Sequence, residues 1–115
     1  NLAYLLLDVY ADRERALALA VRAFRAQPNN PAVMDTLGYA LLKNDQLEKS
    51  VLFLEKAASL LPQEVDIRIH LAQAYQAAGR RDDAVASLTV IKEADVREEQ
   101  WRVVKALLNE VNQSQ

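Results

Sequence analysis

The sequence predicts an all-α protein, an α-solenoid of about three helix-turn-helix repeats followed by a C-terminal capping helix. Glycine occurs twice and proline three times in 115 residues, fewer than a turn-rich β protein would need. Half of the residues are hydrophobic, and alanine and leucine, both strong helix formers, dominate. The third observation is an internal repeat with a period of 34 residues, which is typical of helical repeat proteins.

The repeat is visible when the sequence is compared with itself at this offset. The coinciding pairs are Leu37 and Leu71, Gly38 and Ala72, Val51 and Val85, and Leu54 and Leu88. An upstream unit shares the second half of the pattern, since Leu17 meets Val51 and Pro28 meets Pro62. Its first half aligns after one extra residue within Val9–Asp12, where Asn1–Tyr4 then matches Thr36–Tyr39. We therefore expect a single domain, residues 1–115, with repeats at about 1–30, 31–64 and 65–96 and a turn at Val9–Asp12.

Local signals delimit the individual helices, which we expect at about 2–10, 13–27, 31–43, 47–61, 65–78, 82–93 and 97–112. Asn30 can cap a helix that opens with Pro31, where a missing N–H is tolerated. Gly79 stands where a helix should end in a left-handed residue. Helix starts that resemble capping boxes are predicted at two pairs, Asp45 with Glu48 and Asp95 with Glu98.

Small residues recur where the two helices of a repeat should cross. Ala3, Gly38 and Ala72 share this position, and a small side chain allows a close approach. The last helix follows a different pattern, with an apolar stripe at helical spacing formed by Trp101, Val104, Leu107, Leu108 and Val111. We expect it to cap the array, with Trp101 packed against the core, because a solenoid needs a polar outer face at its end. Its predicted solvent face is Glu98, Arg102, Lys105, Asn109 and Asn112.

These features resemble the tetratricopeptide repeat (TPR) family over about residues 1–96. The middle repeat carries the family pattern of large, small and closing residues at Met34, Leu37, Gly38, Leu41, Ser50, Leu54, Ala57 and Pro62. Residues 29–39, with Asn1–Tyr4 upstream, are similar to bacterial TPR proteins of exopolysaccharide and PEP-CTERM protein-sorting systems. The resemblance implies a protein-binding scaffold that works within a bacterial multi-protein assembly, in the cytoplasm or the periplasm.

Other function classes lack supporting residues. The net charge is −2 without a basic block, and there is no cysteine, which argues against nucleic-acid binding, disulfides and thiolate metal sites. His70 is the only histidine, and we expect it on a surface or groove. The acidic pairs Asp82-Asp83 and Glu98-Glu99 fit helix starts better than acid–base chemistry. We therefore expect no enzyme activity, no metal and no cofactor, and no apolar run long enough to insert into a membrane.

The resemblance implies that the exposed side of each first helix contacts the partner protein. The partner-binding residues so predicted are Tyr4, Leu7, Asp35, Tyr39, Leu42, Lys43, Ile69, Gln73 and Gln76. The residues themselves support part of this set, because Tyr39 and Leu42 lie outside the Leu37–Leu41 core stripe. Some eukaryotic TPR domains bind the C-terminal carboxylate of chaperones through lysine and asparagine. Here the matching positions hold Asp35, Ile69, Tyr39 and Gln73, so that clamp is absent.

Self-association is the alternative function. The first helix pair shows no polar cap, so its apolar flank can stack on a second copy, end to end or as a homodimer. The chain does not begin with methionine, and we expect it to be part of a longer protein.

Overall fold

The computed structural model describes the backbone of residues 2–113 and the side chains of residues 11–113. All regular secondary structure in this range is helical, which confirms the predicted fold class. A short 3-10 helix, Glu93–Asp95, precedes the last α-helix. The six α-helices are α1 Leu2–Ala26, α2 Pro31–Lys43, α3 Leu47–Leu60, α4 Val65–Ala77, α5 Arg81–Thr89 and α6 Glu98–Gln113.

The helices stack in chain order as a repeat array. Helices α2 and α3 form one hairpin, and α4 and α5 form the next. The hairpins contact each other through α3 with α4 and through α2 with α4, while α6 packs on both α4 and α5. Helix α1 packs against α2 from the opposite side. Each hairpin thus buries its apolar face against a neighbouring helix, as a solenoid requires.

The first predicted hairpin does not form, because α1 is continuous from Leu2 to Ala26. In the two hairpins that do form, the connection contains one left-handed residue, Asp45 with φ 60° and Gly79 with φ 78°. These two residues are one repeat apart, and the equivalent residue upstream is Ala11. Left-handed backbone costs an alanine about 1–2 kcal/mol, and residues 2–27 contain neither glycine nor proline. The predicted turn at Val9–Asp12, which separated helices 2–10 and 13–27, is therefore wrong.

The predicted caps are confirmed at the start of α2 and at the end of α4. The Asn30 side chain accepts a hydrogen bond from the Ala32 backbone N–H at 2.9 Å, and Pro31 opens α2. Gly79 ends the α4 segment in the left-handed region.

Both predicted capping boxes are wrong. Asp45 has turned into the left-handed conformation, so the residue that precedes α3 is Gln46, whose side chain makes no capping bond. Asp95 belongs to the 3-10 helix, and the first turn of α6 is closed by Gln100, whose Oε1 accepts from the Arg97 N–H at 3.1 Å.

Two apolar clusters form the core. The larger one extends from α2 to α6, and Leu54, Leu88 and Val104 in it are completely buried. The smaller one joins α1 to α2 and consists of Ala20, Leu37 and Leu41, with partly buried residues around them. Phe24 of α1 packs against both clusters and meets Phe53 of α3 edge to face, with ring centroids 5.1 Å apart.

Helix α6 caps the array as predicted. Val104, Leu107 and Val111 are buried in the larger cluster, and Trp101 is half-buried against it. The residues predicted for the solvent face are all exposed, namely Glu98, Arg102, Lys105, Asn109 and Asn112.

Helices α2 and α3 cross closely at Gly38 of α2. The Ser50 hydroxyl of α3 donates a hydrogen bond to the Gly38 carbonyl at 2.7 Å, and both residues are buried. A Cβ at Gly38 would lie 2.5 Å from Cγ of Leu54, which is completely buried. The small residue predicted from the repeat is therefore required by the contact between α2 and α3.

Tyr75 links three helices on another side of the array. Its hydroxyl donates to Glu55 Oε2 of α3 at 2.5 Å, and the Arg80 guanidinium lies over its ring at 4.7 Å. Arg80 also donates to Asp83 of α5 at 2.9 Å. Burial, followed by the hydrogen bond to Glu55, raises the pKa of the Tyr75 phenol above its ordinary value.

Gly38→Ala should destabilise the fold. The added methyl group would overlap the Leu54 side chain, and overpacking typically costs about 1–3 kcal/mol, more than the roughly 1 kcal/mol that alanine gains over glycine in a helix. Chemical denaturation measures the change. In a Leu54→Ala background the same substitution should cost nothing, because the overlapping atoms are gone. A Gly38→Ala protein as stable as the parent would contradict the packing described.

Tyr75→Phe should lower the free energy of unfolding at neutral pH by about 1 kcal/mol, the typical value of one hydrogen bond. The raised pKa means that the folded state favours the neutral phenol. Its stabilisation is complete below the unfolded pKa of about 10 and is lost as the pH rises further. Unfolding curves at pH 7 and above pH 10 should therefore show the gap between parent and variant narrowing. A gap that stays constant or widens would rule out the assigned hydrogen bond.

Candidate functional site

Helices α2, α4 and α6 lie side by side and form an open groove. Its cavity of about 330 Å³ is lined by Arg13, Leu42, Lys43, Asp45, Gln73, Gln76, Leu107 and Glu110. We call this the α2–α4–α6 groove. Four of the predicted partner-binding residues, Leu42, Lys43, Gln73 and Gln76, are brought together here.

Tyr39 lies beside this groove with contacts on its ring. The His70 imidazole of α4 is at 4.4 Å between ring centroids, with the planes inclined by 35°. The Lys43 ammonium lies 5.1 Å from the Tyr39 ring centroid, within the range of a cation–π interaction. Tyr39 is therefore a half-buried ring that connects α2 to α4 and lies next to Lys43, which lines the groove.

Asp35 and His70 form a polar link between α2 and α4. His70 Nδ1 and Asp35 Oδ1 are 2.8 Å apart, and the two side chains are 26% and 17% exposed. This contact explains the position of His70, the only histidine of the sequence, whose side chain is partly exposed between α2 and α4. Asp35 is therefore engaged inside the array rather than turned outward to a ligand.

Ile69 is not part of an exposed surface, and its assignment to the partner-binding set is wrong. It is one repeat after Asp35, and Val104 is one repeat after His70. Both apolar residues belong to the larger core cluster. The polar link between α2 and α4 is thus replaced by buried apolar side chains between α4 and α6.

Two of the groove residues also have structural roles. Leu42 is half-buried and packs against the larger core cluster, so it is only partly available to a ligand. Gln73 is half-buried, and its Oε1 atom is buried without a hydrogen-bond partner among the described residues. An unpaired buried oxygen of this kind is unfavourable by about 1–3 kcal/mol.

A second cavity, of about 390 Å³, lies between α1 and α2. It is lined by Asp12, Arg13, Ala16, Thr36, Tyr39, Ala40, Lys43 and Asn44, and we call it the α1–α2 pocket. Its lining combines small and aromatic side chains with charged groups. Tyr4 and Leu7 were predicted for this side of the molecule, but their side chains lie outside the described range.

Sequence reasoning missed Leu107 and Glu110, which line the groove from α6. The repeat offset would have identified both, because Gln73 and Gln76 fall on Leu107 and Glu110 when the period is applied once more. The apolar stripe of the capping helix differs from the repeat pattern, but its groove-lining positions follow the same 34-residue period.

A larger cavity, of about 500 Å³, lies elsewhere on the described part of the molecule. It is bordered by the connection after α3 and the segment around the 3-10 helix, and Arg68 Nε donates to the Pro62 carbonyl in its wall at 2.7 Å. None of the predicted partner-binding residues lines it.

The groove combines hydrogen-bonding, apolar and charged side chains. Two amides, two aliphatic side chains and charges of both signs line it. Within residues 2–113 no cluster of three or more acidic or histidine side chains is placed to hold a metal ion. In the same part of the chain no helix combines the length and apolar content that crossing a membrane requires.

Comparison with protein families matches the tetratricopeptide repeat over residues 51–108, which is half of the chain. The match begins within α3, includes the whole α4–α5 hairpin and ends within α6. Comparison with curated proteins found no match. Repeats of this kind are typically non-catalytic and generally mediate protein–protein interactions. The chain belongs to the tetratricopeptide repeat family.

Proposed function

We propose that this protein binds a segment of another protein along the α2–α4–α6 groove. The observation that carries the proposal is the common location of Leu42, Lys43, Gln73 and Gln76 in one cavity, with Tyr39 beside it. Helices α2 and α4 supply these side chains and α6 adds Leu107 and Glu110, so a ligand that crosses the groove contacts three helices. A lone chain segment fits such an elongated surface better than a small molecule, which is usually enclosed.

The glutamine amides favour an extended segment with accessible backbone groups. Each amide can donate and accept a hydrogen bond, as the peptide backbone does. The unpaired Gln73 Oε1 would gain a partner if the amide rotated toward a ligand N–H. Relief of this unsatisfied acceptor would then contribute to binding.

The charges along the groove favour a ligand that is close to neutral. The lining carries two basic side chains, Arg13 and Lys43, and two acidic ones, Asp45 and Glu110. Balanced charges can orient a bound segment without requiring a strong charge on it. Leu42 and Leu107 add apolar contact to the same lining.

We further propose that the partner belongs to a bacterial multi-protein assembly. This rests on the resemblance of residues 29–39 to TPR proteins of exopolysaccharide and PEP-CTERM sorting systems. A bacterial two-hybrid screen with this chain as bait addresses it, and recovery of components from unrelated processes alone would contradict it.

Self-association is a second candidate function, and α1 favours it. Leu19 on this helix is 63% exposed, and α1 also forms one wall of the open α1–α2 pocket. Exposed apolar side chains beside an open pocket are common at contacts between proteins.

Tyr39→Ala should weaken binding of a groove peptide by about 1–2 kcal/mol, because a large amphipathic side chain is lost at the contact. Peptides can be selected from a random phage-displayed library and measured by calorimetry. The variant should also unfold slightly more easily, by no more than about 1.5 kcal/mol, since the ring contact with His70 is removed.

Leu52→Ala is the matched control, since Leu52 is 66% exposed on α3 and lines neither the groove nor the α1–α2 pocket. Its affinity for the selected peptides should equal that of the parent. Amide chemical shifts should move at Gln73, Gln76 and Leu107 on peptide addition. If Tyr39→Ala binds normally and the shifts map to another face, the groove is not the binding site.

An acidic peptide that models a chaperone C-terminus should not bind. The clamp positions hold Asp35, which is engaged with His70, and Ile69, which is buried. Neither can donate a hydrogen bond to a carboxylate in this arrangement. Calorimetry with such a peptide should give no heat of binding up to high micromolar concentration, and a micromolar dissociation constant would refute the expectation.

A further inference from the structure

The α1–α2 pocket is not covered by a helix, although a helix covers the equivalent junctions elsewhere in the array. Helix α2 packs on α3 and α4, which also contact each other. One repeat later, α4 packs in the same way on α5 and α6. Helices α1 and α2 form the corresponding pair upstream, but no helix within the described chain covers their junction, and the pocket of about 390 Å³ remains there.

Residue equivalence supports this comparison. Ala16, Thr36 and Ala40 line the pocket, and one repeat later the same positions hold Ser50, His70 and Ala74. Ser50 and Ala74 are completely buried, and His70 is bonded to Asp35 of α2. Ala16 and Thr36, by contrast, are exposed. The residues that line the pocket therefore occupy positions that the first helix of a repeat covers elsewhere in the array.

The sequence of residues 2–10 has the features of the missing helix. Ala3 aligns with Gly38 and Ala72 at the position where the helices of a repeat cross. Gly38 crosses at Ser50, whose hydroxyl reaches the Gly38 carbonyl at 2.7 Å. Ala16 is equivalent to Ser50, so a helix in the pocket would cross with Ala3 next to Ala16, two small residues at a close contact.

Within one chain, residues 2–10 do not fold back over the pocket, because they continue α1 without a turn. Asn44, just after α2, donates from Nδ2 to the Arg13 carbonyl at 3.0 Å, so α2 ends beside Arg13. Helix α1 continues from there to Leu2 without a turn. We propose that the α1–α2 pocket binds residues 2–10 of a second copy of this chain, each copy covering the junction of the other. Exchange of an identical element between two copies recovers the same contacts without a turn at Ala11.

The exchange develops the self-association proposed as the second function, and its test uses Ala3, Ala11 and Ala16, which are not among the described residues that line the α2–α4–α6 groove. The absence of cysteine from the sequence allows a direct test. One tagged chain carries Ala3→Cys and a second, differently tagged chain carries Ala16→Cys. The two are unfolded together, refolded and oxidised. A disulfide between these positions in this mixture can form only between chains.

We expect a reducible heterodimer as the main oxidised product. The control pair is Ala3→Cys with Ala18→Cys, since Ala18 is exposed on the same helix but does not line the pocket. It should give at least about tenfold less heterodimer, because disulfides require a narrow separation of the two residues. Equal yields from both pairs, or no heterodimer, would overturn the proposal.

Light scattering on the unmodified chain separates this proposal from self-association in general. A concentration-dependent dimer that Ala11→Gly converts to monomer supports exchange, because glycine accepts the left-handed turn that allows residues 2–10 to fold back within one chain. Ala18→Gly, which weakens the same helix without providing that turn, should leave the dimer intact. A strict monomer contradicts both self-association and exchange, and a dimer unaffected by Ala11→Gly contradicts exchange alone.

Discussion

The close crossing of α2 and α3 at Gly38 is the contact on which the rest of the array depends. It brings Ser50 and Leu54 directly against the α2 backbone, so α2 lies deep enough to reach α4 as well as α3. The reach to α4 allows Asp35 to meet His70 and Tyr39 to stack on it. A larger residue at position 38 would separate the helices, because a packed interior does not absorb an extra methyl group without movement. The groove geometry therefore depends on a glycine at the crossing of α2 and α3.

Much of this architecture could be predicted from the 34-residue period, since a repeat constrains which positions are buried in every unit at once. The period located the crossing at Gly38, the end of α4 at Gly79 and the closely packed leucines. It failed at Val9–Asp12 because hydrophobic periodicity does not report whether a turn is possible. That depends on a left-handed residue, which Asp45 and Gly79 supply and Ala11 does not. The capping boxes failed for a related reason, since Asp45 makes the turn and so cannot cap α3.

The candidate groove could be predicted only in part, because a repeat position identifies a location but not the neighbour that meets it. Ile69 and Asp35 occupy equivalent repeat positions. Ile69 is buried in the larger core cluster, whereas Asp35 is hydrogen-bonded to His70. The difference arises because α6 presents an apolar stripe to α4, whereas α4 presents a histidine to α2. The same period extended into α6 would have located Leu107 and Glu110. What no pattern could supply was the contact of Lys43 with the Tyr39 ring, which depends on side-chain rotamers.

Residues 2–10 can bury their apolar side chains in two ways, by folding back onto their own chain or by exchange with a second copy, and the free energies of the two differ. A left-handed turn at Ala11 costs about 1–2 kcal/mol. Burial of a helix with several leucines stabilises by more than this, since each fully buried side chain contributes roughly 1.5–3 kcal/mol. A straight α1 that left residues 2–10 without contacts would therefore be unfavourable. Exchange resolves this, because the apolar contacts form between copies and the turn is not needed. Its opposing term is the loss of translational freedom on association, which weakens as the protein concentration rises. The residue at position 11 and the protein concentration thus both shift the equilibrium between a folded-back monomer and an exchanged dimer.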